Sequence, residues 1–256
     1  MKTSHSLLLF ALPVLGCVIP PDQPPPVSPG SPGTIGGPPP ASAPSAPPVA
    51  AAAPKDCGDG ALIDDGEDGN NQSLPNGGRG GYWYTFRDAG TTTVEPAAGK
   101  YGGGAFTMAD GGHASSWGAR FHGKIGTGAI VFSGLGVNFV DPKGQYDASK
   151  YTGVSFWAKR GDNSTGKVRL KVPDGNTDPE GKVCTDCFND FGVDFTLTTE
   201  WKQYVVPFKN MHQLAGWGAP HKPHIAADKL YGLQWQVQVP SANYDIWIDD
   251  VRFTCD

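Results

Sequence analysis

The stretch "GLQWQVQVP" constrains this chain more than any other, because its apolar and polar residues alternate strictly. Leu233, Trp235, Val237 and Val239 share one face, and Gln234, Gln236 and Gln238 share the other. A helix would need apolar residues three and four apart, so this period of two specifies a half-buried strand. The same beat recurs in "GVSFWAK", "KVRLKV" and "YDIWID". Clusters of Gly, Asp, Asn and Pro separate the runs, and strands are expected in "GALIDD", "YWYTFRD", "GAFTMAD", "GARFHGKI", "AIVFSGLGVNF", "TGVSFWAKRG", "GKVRLKVPD", "WKQYVVPFK", "GLQWQVQVP" and "YDIWIDDVRF". Only "NMHQLAGWG" hints at a helical turn. Closely spaced strands without intervening helices predict an all-β fold, a two-sheet β-sandwich or jelly roll.

That pattern begins only near residue 56. "MKTSHSLLLFALPVLGC" has one Lys, an apolar run too short to span a bilayer, and a Gly16-Cys17 junction. It reads as a secretory signal, and Val14-Leu15-Gly16-Cys17 resembles the lipobox of bacterial lipoproteins, in which the Cys is lipidated. An ordinary signal peptide that contains a Cys is the other reading. Residues 18–55 are rich in Pro, Ala and Ser and nearly free of charge and aromatic rings. Such a segment buries too little apolar surface to offset its ordering entropy, so a flexible spacer is expected. The chain thus divides into a signal peptide at 1–17, a linker at 18–55 and one domain at 56–256. A lipid-anchored, extracytoplasmic placement in a bacterial cell envelope, at the outer membrane or cell surface, follows from the lipobox reading. The net charge of −5 and the lack of a Lys/Arg run exclude nucleic acid as the expected partner.

Beyond Cys17, four cysteines remain, which an exported chain is expected to pair in one of three ways. Cys57 and Cys255 bracket the domain, and first and last strands of a jelly roll often lie side by side. Cys57–Cys255 and a tight Cys184–Cys187 loop are therefore the favoured pairs. A redox role for "CTDC" lacks the βαβ context it would need, and a zinc site lacks partners at suitable spacing.

Acidic residues gather at both ends of the domain, in "LIDDGEDGN" and "IWIDDVRF". If these strands pair, Asp64, Asp65, Glu67 and Asp68 approach Asp249 and Asp250, a donor set suited to a hard cation or else a group of solvated turn acids. Asp249 and Asp250 cannot form a glycosidase dyad as strand neighbours, because neighbours point to opposite faces. No serine-nucleophile or phosphate-loop motif is present either.

With the aliphatic faces inward, the outer faces collect Trp157, Lys159, Arg169, Lys171, the glutamines, Asp245 and Trp247. Aromatic plates beside amides and charges suit sugars, although a single Trp could equally belong to the core. Here the likeness becomes specific. "YDASKYTGVSFWAK", "VRLKVPD", "WKQYVVPF", "GLQWQVQ" and "IWIDDVRF", with "ALIDDGEDGN" and "RGGYWYTFRD" before them, resemble carbohydrate-binding modules of the galactose-binding-like jelly-roll type. The nearest resemblance is to family 11 and to related domains of bacterial surface lipoproteins, over Leu62 to Phe253. It implies a non-catalytic, monomeric binder of a polysaccharide or glycan such as a β-glucan. It also implies ligand contacts at Trp157, Arg169, Gln236 and Trp247, with Trp83 and Arg87 as further candidates. Structural calcium would be held by Glu67 and Asp250, with Asp65 or Asp249. "CTDC" and "GWGAPHKPHIAAD" depart from the pattern and are placed to reshape a groove. A surface domain that binds a protein partner is the runner-up, and a glycoside hydrolase ranks below it.

Overall fold

A computed structural model describes residues 57–99 and 106–255, so the signal peptide with Cys17, the linker and the domain's first residue, Asp56, lie outside the described residues. Eleven strands follow in chain order: β1 (Leu62–Asp64), β2 (Trp83–Arg87), β3 (Ala109–Asp110), β4 (Trp117–Lys124), β5 (Ser133–Asn138), β6 (Gly153–Arg160), β7 (Lys167–Val172), β8 (Phe191–Thr196), β9 (Lys202–Pro207), β10 (Gly232–Val237) and β11 (Asn243–Thr254). They form two antiparallel sheets. One has the order β3-β4-β11-β6-β9, with β1 also paired to β11; the other has the order β2-β5-β10-β7-β8. The fold is the expected all-β, two-sheet sandwich.

The alternation places the inner residues as expected. Leu233, Trp235 and Val237 of β10, Val168, Leu170 and Val172 of β7, and Ile246 and Ile248 of β11 are all buried. Trp83 stacks on Trp235 within the five-stranded sheet with centroids 5.8 Å apart, and Phe156 of the other sheet meets Trp235 edge-on at 5.3 Å, tying the two sheets together. Each such ring adds roughly 1.5–3 kcal/mol through burial.

From β4 onward the chain changes sheet at almost every connection: β4, β6, β9 and β11 belong to one sheet and β5, β7, β8 and β10 to the other. Strand β8 was not among the expected strands, because "FGVDFT" carries a Gly and an Asp in a short run. The helical hint at "NMHQLAGWG" is displaced, for the nearest helical turn is a 3-10 turn at Phe208–Asn210.

Strand β11 corrects the geometry assumed for the two acids. Its first half pairs with β4 up to Ile248↔Ala119, and its second half pairs with β1 at Val251↔Asp64. Between them Asp250 takes a φ of 48° and the register to β6 shifts, which is a β-bulge. Asp249 and Asp250 therefore do not simply face opposite sides. Asp249 accepts the backbone N–H of His113 at 2.6 Å, and Asp250 Oδ2 meets His113 Nδ1 at 2.9 Å. Both pin the turn before β4. Cys255 at the end of β11 is bonded to Cys57, and Cys184 to Cys187, the two favoured pairings.

Candidate ligand-binding face

The outer face of the five-stranded sheet is ordered in two cross-strand rows. The first runs Tyr84, Gly136, Gln234, Lys171 and Gly192; the second runs Phe86, Gly134, Gln236, Arg169 and Asp194. Each row thus repeats aromatic, glycine, amide and cation across four strands. The glycines have a steric cause: the Tyr84 and Phe86 rings lie so close over Gly136 and Gly134 that a Cβ at either position would overlap the ring.

Tyr84 Oη accepts from Gln234 Nε2 at 3.0 Å, and burial pushes its phenol well above the usual value. Lys171 is ion-paired at 3.0 Å to Asp190, which is buried at the approach to β8. The first row is therefore largely occupied by its own contacts. The second row opens outward into a groove of about 390 Å³ lined by Lys167, Arg169, Asp194, Thr196, Gln236 and Gln238.

Arg169 anchors that groove. Its Nη1 donates to Asp194 at 3.0 Å and its Nη2 to the carbonyl of His212 at 2.6 Å. Only 5% of the residue is exposed. Burial pulls the guanidinium pKa down, with Asp194 opposing that shift, and the group keeps its charge while its fork is held in one orientation. Lysine, arginine, carboxylate, hydroxyl and two amides within one groove supply donors and acceptors for a ligand rich in hydroxyl groups.

Of the six contacts expected from sequence, only Arg169 and Gln236 meet here. Trp157 and Trp247 lie on the outer face of the other sheet, on the opposite side of the sandwich. There Arg120 sits 4.7 Å and Lys159 5.0 Å from the Trp247 ring centre, and Lys159 also lies 4.8 Å from that of Trp201. His113 stacks on Trp157 at 3.6 Å. These rings are covered by the chain's own side chains. Trp83 is no ligand contact: it is 1% exposed in the core and donates its indole N–H to Asp64. Arg87 ends β2 and folds onto its own turn, donating to the carbonyl of Asp88 at 2.8 Å.

The four carboxylates expected to hold calcium accept hydrogen bonds from the chain, and three of them, Glu67, Asp249 and Asp250, meet on the single turn 113–117. Glu67 accepts from the N–H groups of Ser116 and Trp117, Asp65 accepts from that of Glu67, and Asp249 and Asp250 meet His113. Among the described residues no three His, Cys, Asp or Glu side chains gather as a metal set.

Lys167, Asp194 and Thr196 were not singled out from the sequence, and Gln238 was named only as part of the glutamine face. Lys167 and Gln238 continue the outward alternation of Arg169 and Gln236, so the period of two held the signal for both. Asp194 and Thr196 belong to the unexpected β8, where Phe191, Val193 and Phe195 alternate with Gly192, Asp194 and Thr196, so the same period of two was present in a run too short to be read as a strand.

No family model matches the sequence, and no curated protein matches it. Solved structures do match. The family 11 carbohydrate-binding module of a cellulosomal cellulase of Clostridium thermocellum is 14% identical, with a TM-score of 0.53, over 76% of this chain and 94% of that one. A family 11 module from Clostridium thermocellum in complex with a β-1,3-1,4-mixed-linked tetrasaccharide gives 14% identity and a TM-score of 0.52, over 76% and 95%. At this identity the likeness is one of fold. The fold is that of these carbohydrate-binding modules, in agreement with the resemblance read from the sequence.

Proposed function

We propose that this chain binds a polysaccharide or glycan through the outer face of the five-stranded sheet and performs no chemistry on it. The groove at Arg169 and Gln236 carries the reading: a fixed guanidinium, two amides, Lys167, Asp194 and Thr196 converge on one open cleft. The solved modules of like fold, one of them bound to a mixed-linked tetrasaccharide, support it by analogy. Asp194 is the one carboxylate lining the groove and is paired to Arg169, whereas glycoside hydrolysis uses two that flank the bond. Lipidation at Cys17, with residues 18–55 as a spacer, would hold the domain clear of a membrane.

The test is affinity electrophoresis of the protein through gels that contain soluble glucans, xylans or host glycans. Retardation by at least one is expected, and Gln236→Ala or Arg169→Lys should weaken it. Arg169→Lys keeps the charge but loses the fork that reaches Asp194 and His212 together. Migration unchanged by every glycan would overturn the reading.

A further inference from the structure

Besides its polar residues the groove is lined by Val168, Phe195 and Val239, and the Phe195 ring is turned edge-on against Phe156 and Tyr204. Tyr84 and Phe86 lie against their glycines, while Trp157, Trp201 and Trp247 are covered by His113, Lys159 and Arg120. Among the described residues two aromatic side chains are exposed, Phe188 at 58% and Trp217 at 42%. Both lie in the two segments that depart most from the resemblance, "CTDCF" and "GWGAP".

These segments are fastened to each other. Asp186 and Ala219 form an isolated antiparallel bridge, with Phe188 and Trp217 each two residues from it along the chain. Asn189 Nδ2 donates to the carbonyls of Leu214 and Trp217, and Asn189 Oδ1 accepts from the N–H of Leu214. Gly218 donates to Asp186 Oδ2 at 2.7 Å, at a φ of 83° and with no room for a Cβ against Asn189. The Cys184–Cys187 bond closes the turn below. Phe188 itself adopts a φ of 72°, a conformation costly for a bulky residue. Strain of this kind persists where the surroundings over-determine it, and it concentrates at ligand clamps.

The segments that carry the pair are tied to the groove's anchor. The carbonyl that Arg169 holds belongs to His212, which also pairs with Gly192 at the start of β8. Phe188 precedes the groove residue Asp194 by six positions, a reach of up to roughly 20 Å of extended chain. That suits an oligosaccharide lying over several sugar rings.

We propose that Phe188 and Trp217 are aromatic contacts for the glycan, taking the C–H face of a pyranose ring while Arg169, Gln236 and Asp194 bind hydroxyl groups further along the same chain. This rests on the carbohydrate-binding reading above. The disulfide and the Asn189 hydrogen bonds hold the rings in place before the ligand arrives, which lowers the ordering cost of binding.

Affinity electrophoresis with the polysaccharide that most retards the unsubstituted protein tests it. Phe188→Ala and Trp217→Ala should each weaken retention by roughly three- to tenfold, with melting midpoints unchanged and Trp217→Phe restoring part of the loss. The same polysaccharide should shield the exposed tryptophan from acrylamide quenching. Retention by both Ala variants equal to that of the unsubstituted protein overturns this proposal and leaves the groove reading intact. No retention of the unsubstituted protein by any glycan overturns both. Sedimentation covers the remaining occupant: a dimer that Trp217→Ala dissociates, with glycan retention unchanged, would assign the patch to a second copy and also overturn the proposal.

Discussion

Asp249 accepts the backbone N–H of His113 at 2.6 Å across 136 residues of sequence, and this bond holds the turn that leads into β4. The carboxylate is 3% exposed. Burial pushes its pKa up to about 6, although the N–H groups of His113 and Asp250 favour the charged form. Asp64, which accepts from the Trp83 indole, is likewise raised to about 6 by burial.

Both carboxyls are therefore protonated more readily in the folded protein than in the unfolded chain, where the value is about 4. The stabilisation from this proton uptake is fully present below about pH 4 and is lost as pH rises through about 6. Its limit is about 2–3 kcal/mol per group. The melting midpoint should rise as pH falls from 7 to 5, and Asp64→Asn or Asp249→Asn should each flatten part of that slope. A midpoint in the unsubstituted protein that is flat or falling over this range would contradict the assignment.

The strand alternation that revealed the sandwich did not say which sheet each strand joins. Val168 and Phe156 point inward, as their spacing requires, yet they belong to different sheets. Arg169 and Trp157, both outward, consequently end on opposite sides of the domain. Sheet membership is set by long-range pairing, and a period of two records only inside and outside. The bulge at Asp249–Asp250 left a clearer trace. Apolar residues occupy 244, 246 and 248, then 251 and 253, and that change of parity requires one extra residue. The Cys57–Cys255 pairing was legible because the two cysteines bracket the domain.

Gly134 and Gly136 should resist substitution. A Cβ at either position would overlap the ring that crosses it, Phe86 or Tyr84, so Gly134→Ala must lift the Phe86 ring and disturb the row that includes Gln236. Overpacking of this kind costs about 1–3 kcal/mol. Urea denaturation should show the loss, and Gly134→Ala combined with Phe86→Ala should recover part of it. A double variant less stable than either single one would count against ring overlap as the cause.

Chelation should leave stability unchanged. Glu67 caps the N–H groups of Ser116 and Trp117, and Asp249 and Asp250 bond to His113, so the turn is held by these carboxylates without an ion. Melting midpoints with EDTA and with added calcium are expected to coincide. A higher midpoint in calcium would show that these carboxylates rearrange around the ion.

The two disulfides should differ in what they stabilise. Cys57–Cys255 joins residues 198 apart and ties the start of the domain to the end of β11. In the chain-entropy account, closing so long a loop restricts the unfolded state strongly, and removing such a bond costs about 2–5 kcal/mol. Cys57→Ser with Cys255→Ser should therefore lower the global unfolding free energy by that amount. Cys184–Cys187 spans a separation of three and constrains little of the unfolded chain. Its effect is local, on the turn that carries Phe188. Cys184→Ser with Cys187→Ser should leave the global free energy nearly unchanged while hydrogen exchange quickens around residues 184–190. Equal destabilisation by the two double variants would show that the short loop supports the whole sandwich.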